Sequence, residues 1–218
     1  MEKMPYHPEE GNQIGVAADT GKTTTTDWRH GLPVLAGTTE VLREPLMSDA
    51  PSFLAMLTAE EVARSISPPP ATLEGFERFI TRAHAERMAG NYFCFAVVPA
   101  GFDTAVGLFQ VRQLEPGFGS AEWGFAIASA FWGTGIFLEG ARLIVDFTFD
   151  VVGAERLEAR AAARNGRGNS ALRKVGAVQE AVLRRSFLRN GEYLDEILWS
   201  ILKEDWLQAK AVWGPKFH

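Results

Sequence analysis

Ala121-Glu122-Trp123-Gly124-Phe125-Ala126-Ile127-Ala128 leads within three residues into Phe131-Trp132-Gly133-Thr134-Gly135-Ile136. The first segment alternates. Glu122, Gly124, Ala126 and Ala128 fall on one face of a strand, and Trp123, Phe125 and Ile127 fall on the other. A carboxylate followed by a row of small residues makes a shallow trough, while the large side chains supply a core-facing surface. After Gly135 the period changes. Phe137, Ala141, Ile144, Val145 and Thr148 form one stripe at steps of three and four, opposite Glu139, Arg142, Asp146 and Asp150, which is the pattern of an amphipathic helix. A strand that enters a helix through Gly-x-Gly can turn backbone N–H groups inward beside a helix N-terminus. That arrangement holds a phosphate without any basic side chain. It also serves as a plain tight connection. The dinucleotide fingerprint is not met, because its third glycine would fall at Leu138 and no early βαβ unit precedes the junction.

Outward from this junction the chain reads as one mixed α/β sheet. Glu40–Arg43 is a short strand, and Ser48-Asp49 is placed to cap a helix through Phe53, Leu54 and Leu57. Thr72 starts a helix that stops at Gly90. Tyr92–Val98 and Thr104–Arg112 are strands, Arg156–Ala163 is another, and Gly166–Val175 is a short helix closed by Gly176. Val178–Leu188 and Tyr193–Leu202 form a hairpin around Asn190-Gly191. Residues 1–37 carry little hydrophobic periodicity and are expected to be a flexible or surface-lying extension. The folded domain spans 38–205, and 206–218 is a C-terminal tail whose Trp206 and Trp213 suggest packing on the body or on a second copy. Gly15 through Gly21-Lys22-Thr23 imitates a phosphate loop, but the glycine spacing is one residue too long and no strand precedes it.

Composition narrows the function classes. The chain has 218 residues, 46% apolar and 22% charged, an ordinary globular balance. The longest uncharged run, Trp123–Leu138, has 16 residues, short of the roughly 20 that a membrane-spanning helix needs. No apolar segment follows a basic start, so the expected setting is cytoplasmic with no membrane partner. Cys94 is the only cysteine and lies between Phe93 and Phe95, which reads as a small buried hydrophobe rather than a nucleophile. The four scattered histidines suggest no metal. Residues 155–189 hold nine Lys/Arg against three acids, so this segment is +6 while the rest of the chain is −11. A locally basic, globally acidic chain favours a compact anionic ligand over nucleic acid. A solvated charged surface is the alternative.

Three landmarks in order resemble the GNAT N-acetyltransferases, nearest to the branch that acetylates ribosomal-protein N-termini. They are Leu42-Arg43 with Asp49-Ala50, then Glu122–Ile127 with Phe131–Ile136 and Glu139, and then Asn165 leading through Leu172 and Lys174 to Gly176. The resemblance implies a mostly antiparallel sheet flanked by helices and splayed between its fourth and fifth strands. It implies acetyl-CoA as cosubstrate, no metal, and direct transfer to a primary amine, either a protein N-terminus or a small molecule. By the same resemblance the pyrophosphate falls on Trp132, Gly133, Thr134, Gly135 and Ile136. The pantetheine arm falls along Phe125, Ala126, Ile127 and Ala128, and Asn165 bonds that arm. Arg160, Arg164, Arg167 and Arg173 are placed to reach the 3′-phosphate, with Arg173 counted among the cofactor contacts.

The reaction needs a base for the ammonium and a donor for the departing thiolate. Glu122 is the base expected, with an ion pair to Arg112 as the other reading of the same carboxylate. Ser170 and Tyr193 are the candidate acids. Two positions depart from the family pattern. Ala130 stands where the loop commonly opens with Gln or Arg, and Gly168 stands where the helix commonly has serine. The rival reading is a CoA-binding sensor or interaction module without catalysis. Leu194, Leu198 and Leu202 share one strand face and suit either core or a homodimer contact.

Overall fold

The computed structural model describes residues 27–213. The Gly15–Thr23 motif, His7, His218 and the Trp213 side chain lie outside the described residues. In chain order the elements are β1 (Leu35–Ala36), β2 (Glu40–Arg43), α1 (Ala50–Leu57), α2 (Glu60–Ala63), α3 (Leu73–Met88), β3 (Tyr92–Pro99), β4 (Gly107–Gln113) and β5 (Ser120–Ile127). They continue with α4 (Ile136–Asp146), which runs on into a π-helical turn over Phe147–Val152, then β6 (Arg156–Ala162), α5 (Gly166–Val175), β7 (Val178–Arg189), β8 (Glu192–Leu202) and α6 (Lys203–Trp213). One sheet has the order β1-β2-β3-β4-β5-β6-β8-β7. Every pairing is antiparallel except β5 with β6. Among the described residues no helix is long and apolar enough to cross a membrane.

The alternation in the strands sorts side chains onto two cores. Phe93, Phe95, Phe109, Trp123 and Ile127 pack with Ile144 and Val145 of α4 and Leu172 of α5. On the opposite face Cys94, Ala96, Leu108 and Ala126 pack with Phe53 of α1 and Phe76 and Ile80 of α3. Cys94 is buried, and desolvation pushes its thiol up to about 12, so it is an inert filler. Thr72 Oγ1 accepts from the Gly75 amide and caps α3 as expected. Asp49 does not cap α1 with its side chain. Its carboxylate instead takes the Leu46 amide and both terminal nitrogens of Arg43, at 2.7–2.8 Å. A charged bidentate partner outbids the weak donors of a helix start.

The ends of the chain depart from the sequence reading. Trp28 is buried edge-on against Phe93 and Phe118, and Leu35–Ala36 pairs with β2. The stretch 28–36 therefore joins the sheet and its core, ahead of the boundary drawn at residue 38. Residues 203–213 form a helix, and Trp206 is buried with its indole N–H on Asp146. Of the leucines that suited a dimer contact, Leu194 is buried and Leu198 and Leu202 are half-buried. The β7 strand is interrupted at 184–186 by a bulge. There Arg185 has φ 52°, its amide donates to Asp195, and Ser186 bonds Glu196.

α4 is tied to the sheet by two carboxylates. Glu139 accepts from the Thr38 and Thr39 amides and the Thr39 hydroxyl. Burial opposes its charge, but these bonds outweigh burial and bring it down to about 2. Glu40 of β2 is 1% exposed and lies against Gly140. Burial above all, with help from the Glu139 charge, lifts it to about 7 against the pull of the Thr39 hydroxyl. The folded protein thus keeps a proton on Glu40 that the unfolded chain releases near pH 4.5, so stability falls as pH rises from about 4.5 to 7. Glu40→Gln should leave the melting temperature near wild type at pH 5. At pH 8 it should raise stability by about 2 kcal/mol, or about 4–8 °C for a chain of this size, as read by thermal melts at the two pH values.

Candidate active site

β5 and β6 are paired only at Ser120↔Arg156, Ala121↔Leu157 and Glu122↔Glu158. Past this point β5 stays on β4 out to Ile127↔Gly107, and β6 stays on β8 out to Ala162↔Glu196. The edge of β5 that faces β6 is therefore without a strand partner from Trp123 to Ile127. This is the expected splay between the fourth and fifth strands, displaced by one in number because β1 precedes them. The far end of β6 is anchored by Asn169, a residue of the Asn165–Gly176 signature for which no role was expected. Its amide donates to Ala162 O at 3.0 Å and Asn165 O at 2.9 Å, and its Oδ1 takes the buried Trp199 indole N–H at 2.9 Å.

The splay opens into a cavity of about 1250 Å³. Its walls are the 61–70 connection, β4, β5, the 131–138 turn, β6 and α5, with Phe187 and Glu196 from the hairpin. At one end lies the Gly-x-Gly turn. Gly133 and Gly135 have φ of 81° and 97°, the left-handed region where a side chain is strained. Among the described residues the amides of Gly133, Gly135, Ile136 and Phe137 meet no internal acceptor. They are the unsatisfied donors of a helix start and its preceding turn. Trp132 Nε1 donates to Ile127 O at 2.9 Å, and the Arg167 guanidinium lies 4.1 Å over the Trp132 ring. Arg167 thereby brings a positive charge from α5 across the gap to a loop that begins with Ala130.

At the other end the charges interleave. Glu122 is paired with Arg112 directly opposite on β4, and its other oxygen is 3.6 Å from Arg160. Arg160 is 3.9 Å from Glu158, Glu158 is 3.0 Å from Arg156, and Arg156 is bonded to Glu180 at 2.8 Å. The ion pair anticipated for Glu122 is present, and the carboxylate also lines the cavity. Much of the basic excess at 155–189 is absorbed in this way, with Arg164 on Glu192 and Arg173 over Trp199.

The expected site residues divide plainly. Glu122, Phe125, Ala126, Ile127, Trp132, Gly133, Gly135, Asn165 and Ser170 line the cavity. Asn165 also caps α5, its Oδ1 accepting from the Gly168 amide at 3.0 Å. Ala128 has its amide on Val106 O, the Thr134 hydroxyl bonds Phe131 O, and the Ile136 side chain is buried in the core. Tyr193 is a correction. It lies beside the hairpin turn, 59% exposed, and does not line the cavity. Arg173 lies over Trp199 and is not among the cavity residues, while Arg167 lies over Trp132 of the loop. Tyr92, Gln110, Arg160 and Lys174 line the cavity without having been expected there as reaction residues. Strand register, not motif, was the signal that could have found the first two. Among the described residues no group of three or more His, Cys, Asp or Glu could hold a metal ion.

An open strand edge that leads into uncapped amides suits a long, thin ligand with a phosphorylated end. The chain belongs to the GNAT acetyltransferase family, whose domain model matches residues 41–178, and it is an N-acetyltransferase. Probable N-acetyltransferase YjcK of Bacillus subtilis is 29% identical over 135 residues, covering 62% of this chain and 75% of that protein. The structure of ribosomal-protein-S5-alanine acetyltransferase from Vibrio fischeri superposes with a TM-score of 0.72 at 20% identity, covering 80% of this chain and 98% of that one. RimJ of Mycobacterium smegmatis, solved in complex with CoA-disulfide, gives 0.69 at 22% identity over 76% of this chain and 83% of that one.

Asn169→Ala should strand the Trp199 indole and release the end of β6, costing about 3 kcal/mol. Denaturant melts will measure the loss.

Proposed function

We propose that the protein carries the acetyl group of acetyl-CoA to a primary amine, with the α-amine of a protein N-terminus as the acceptor. The observation that supports this reading is the unpartnered edge of β5 running into the free amides at Gly133 and Gly135. An extended amide-bearing arm adds to such an edge as a strand does, and the turn with Arg167 over Trp132 receives the phosphates. Asn165, beside the gap at the start of α5, faces the arm. When bound, acetyl-CoA supplies an acyl group already activated as a thioester. The acceptor follows from the ribosomal-protein acetyltransferases among the structural neighbours, and a small-molecule amine is the other substrate to be tried.

The chain's own groups then have distinct tasks. Glu122 draws the ammonium to the base of the splay and takes its proton, freeing the lone pair for attack. Arg112 and Arg160 hold that carboxylate in place. Ser170 lines the α5 wall, where its hydroxyl supplies a proton to the departing sulfur, with Lys174 one helical turn further on. A ribosomal-type protein acceptor supports reading the protein as a soluble enzyme of the cytoplasm.

Glu122→Gln should lower kcat/KM for the amine by about 100-fold while calorimetric CoA affinity stays unchanged. Unchanged turnover would remove Glu122 as the base. Gly135→Val puts a β-branched residue at φ 97° and should weaken CoA binding at least tenfold in the same titration, a loss that exceeds any effect on the amine KM.

A further inference from the structure

The register of β3, β4 and β5 sets three rows across the face that bears the trough. They are Tyr92–Arg112–Glu122, Cys94–Gln110–Gly124 and Ala96–Leu108–Ala126. The first row is charged at the reacting end, and the third is small and apolar. In the middle row Gln110 alone carries a full hydrogen-bonding side chain. The Tyr92 hydroxyl donates to Gln110 Oε1 at 2.9 Å. Burial first, and then the Cys94 thiol, hold the Tyr92 phenol well above its ordinary value, so it remains a donor. That bond fixes the orientation of the Gln110 amide, which turns its two N–H bonds away from Tyr92.

Those N–H bonds have a definite place. Gln110 Nε2 lies 3.3 Å from where a Cβ on Gly124 would stand, so the amide lies over the glycine, on the trough floor. Glu122 is two residues back on the same strand face, about 7 Å along β5. Gln110 also belongs to β4, on the side of β5 away from the splay. It borders both the main cavity and a second one of about 350 Å³ between α3 and the β3–β4 hairpin. A donor on this side faces the incoming amine rather than the arm lying in the β5–β6 gap.

An α-amine of a peptide carries a carbonyl oxygen three bonds from its nitrogen, whereas an alkylamine has none. We propose that Gln110 is a specificity-determining residue: its amide, aimed by Tyr92, donates to the carbonyl oxygen next to the reacting α-amine and so selects peptide-like acceptors. This rests on the acetyl-transfer reading above. An acceptor without the carbonyl leaves the Gln110 N–H groups covered and unpaired, which is how a polar site rejects an analogue that lacks its partner.

The test compares acetylation by the full chain of a tripeptide amide with a free N-terminus and of difluoroethylamine, an alkylamine of similar basicity. The wild type should favour the peptide in kcat/KM. Gln110→Ala should cut that ratio by about 10–100-fold. Tyr92→Phe, which keeps the ring, should cut it by about 3–10-fold through the peptide KM more than through kcat, with the KM for acetyl-CoA within about twofold of wild type. Thermal melts confirm that both variants are folded. An equal loss for both amines would make Gln110 a stabiliser of the thioester oxygen and overturn the proposal, as would no loss for either. A wild type that acetylates the alkylamine and not the peptide removes Gln110 as selector and leaves the transferase reading intact. Acetylation of neither amine removes both.

Discussion

Parallel pairing between β5 and β6 stops after Glu122 and Glu158, and everything the site does follows from that stop. Each strand keeps its other neighbour for its full length, so the sheet becomes two halves that share a short hinge and twist away from each other. The hinge is bound by charge. Arg112, Glu122, Arg160, Glu158, Arg156 and Glu180 alternate in sign across β4, β5, β6 and β7. Part-exposed pairs of this kind contribute modestly individually, but here they separate carboxylates that register would otherwise leave facing each other. Asn169 then keeps the free end of β6 with β8 and α5. The gap is therefore a feature of the backbone, held open from both sides.

The second constraint is the placement of α4. Its start must point unbonded amides at the end of the gap, which Gly133 and Gly135 permit by adopting positive φ. Its body must not rotate. Glu139, fastened by Thr38 and Thr39, and Glu40, buried against Gly140, join the helix to β2 from the opposite side of the sheet's core. A buried carboxyl that stays protonated near neutrality is a costly tether. It fits a helix whose orientation matters more than its stability.

Much of this could be read from local chemistry. The α4 stripe, the Thr72 cap, the Asn190-Gly191 turn and the trough alternation of β5 each follow from steric or hydrogen-bonding rules that act over a few residues. The Arg112–Glu122 pair needed only one hairpin's register. Other features resisted for equally physical reasons. The bulge at 184–186 carries no glycine to announce it, and Trp28 sits in a stretch without periodicity. The helix 203–213 is so weakly amphipathic that it reads as tail, although the packing of its Trp206 was expected. Tyr193 looked catalytic only because its strand was known and its height above the cavity was not.

The sequence by itself determined the elements, their faces and the turn that exposes free amides, because these depend on spacing within one segment. Only tertiary structure decided which cation meets the Gly-x-Gly loop, since Arg167 and Arg173 stand on one helix and differ in which ring they meet, Trp132 or Trp199. It also decided that Gln110 lies over Gly124 with Tyr92 behind it. Those contacts join segments far apart in the chain, and their geometry is set by sheet twist and helix packing, which no local pattern encodes.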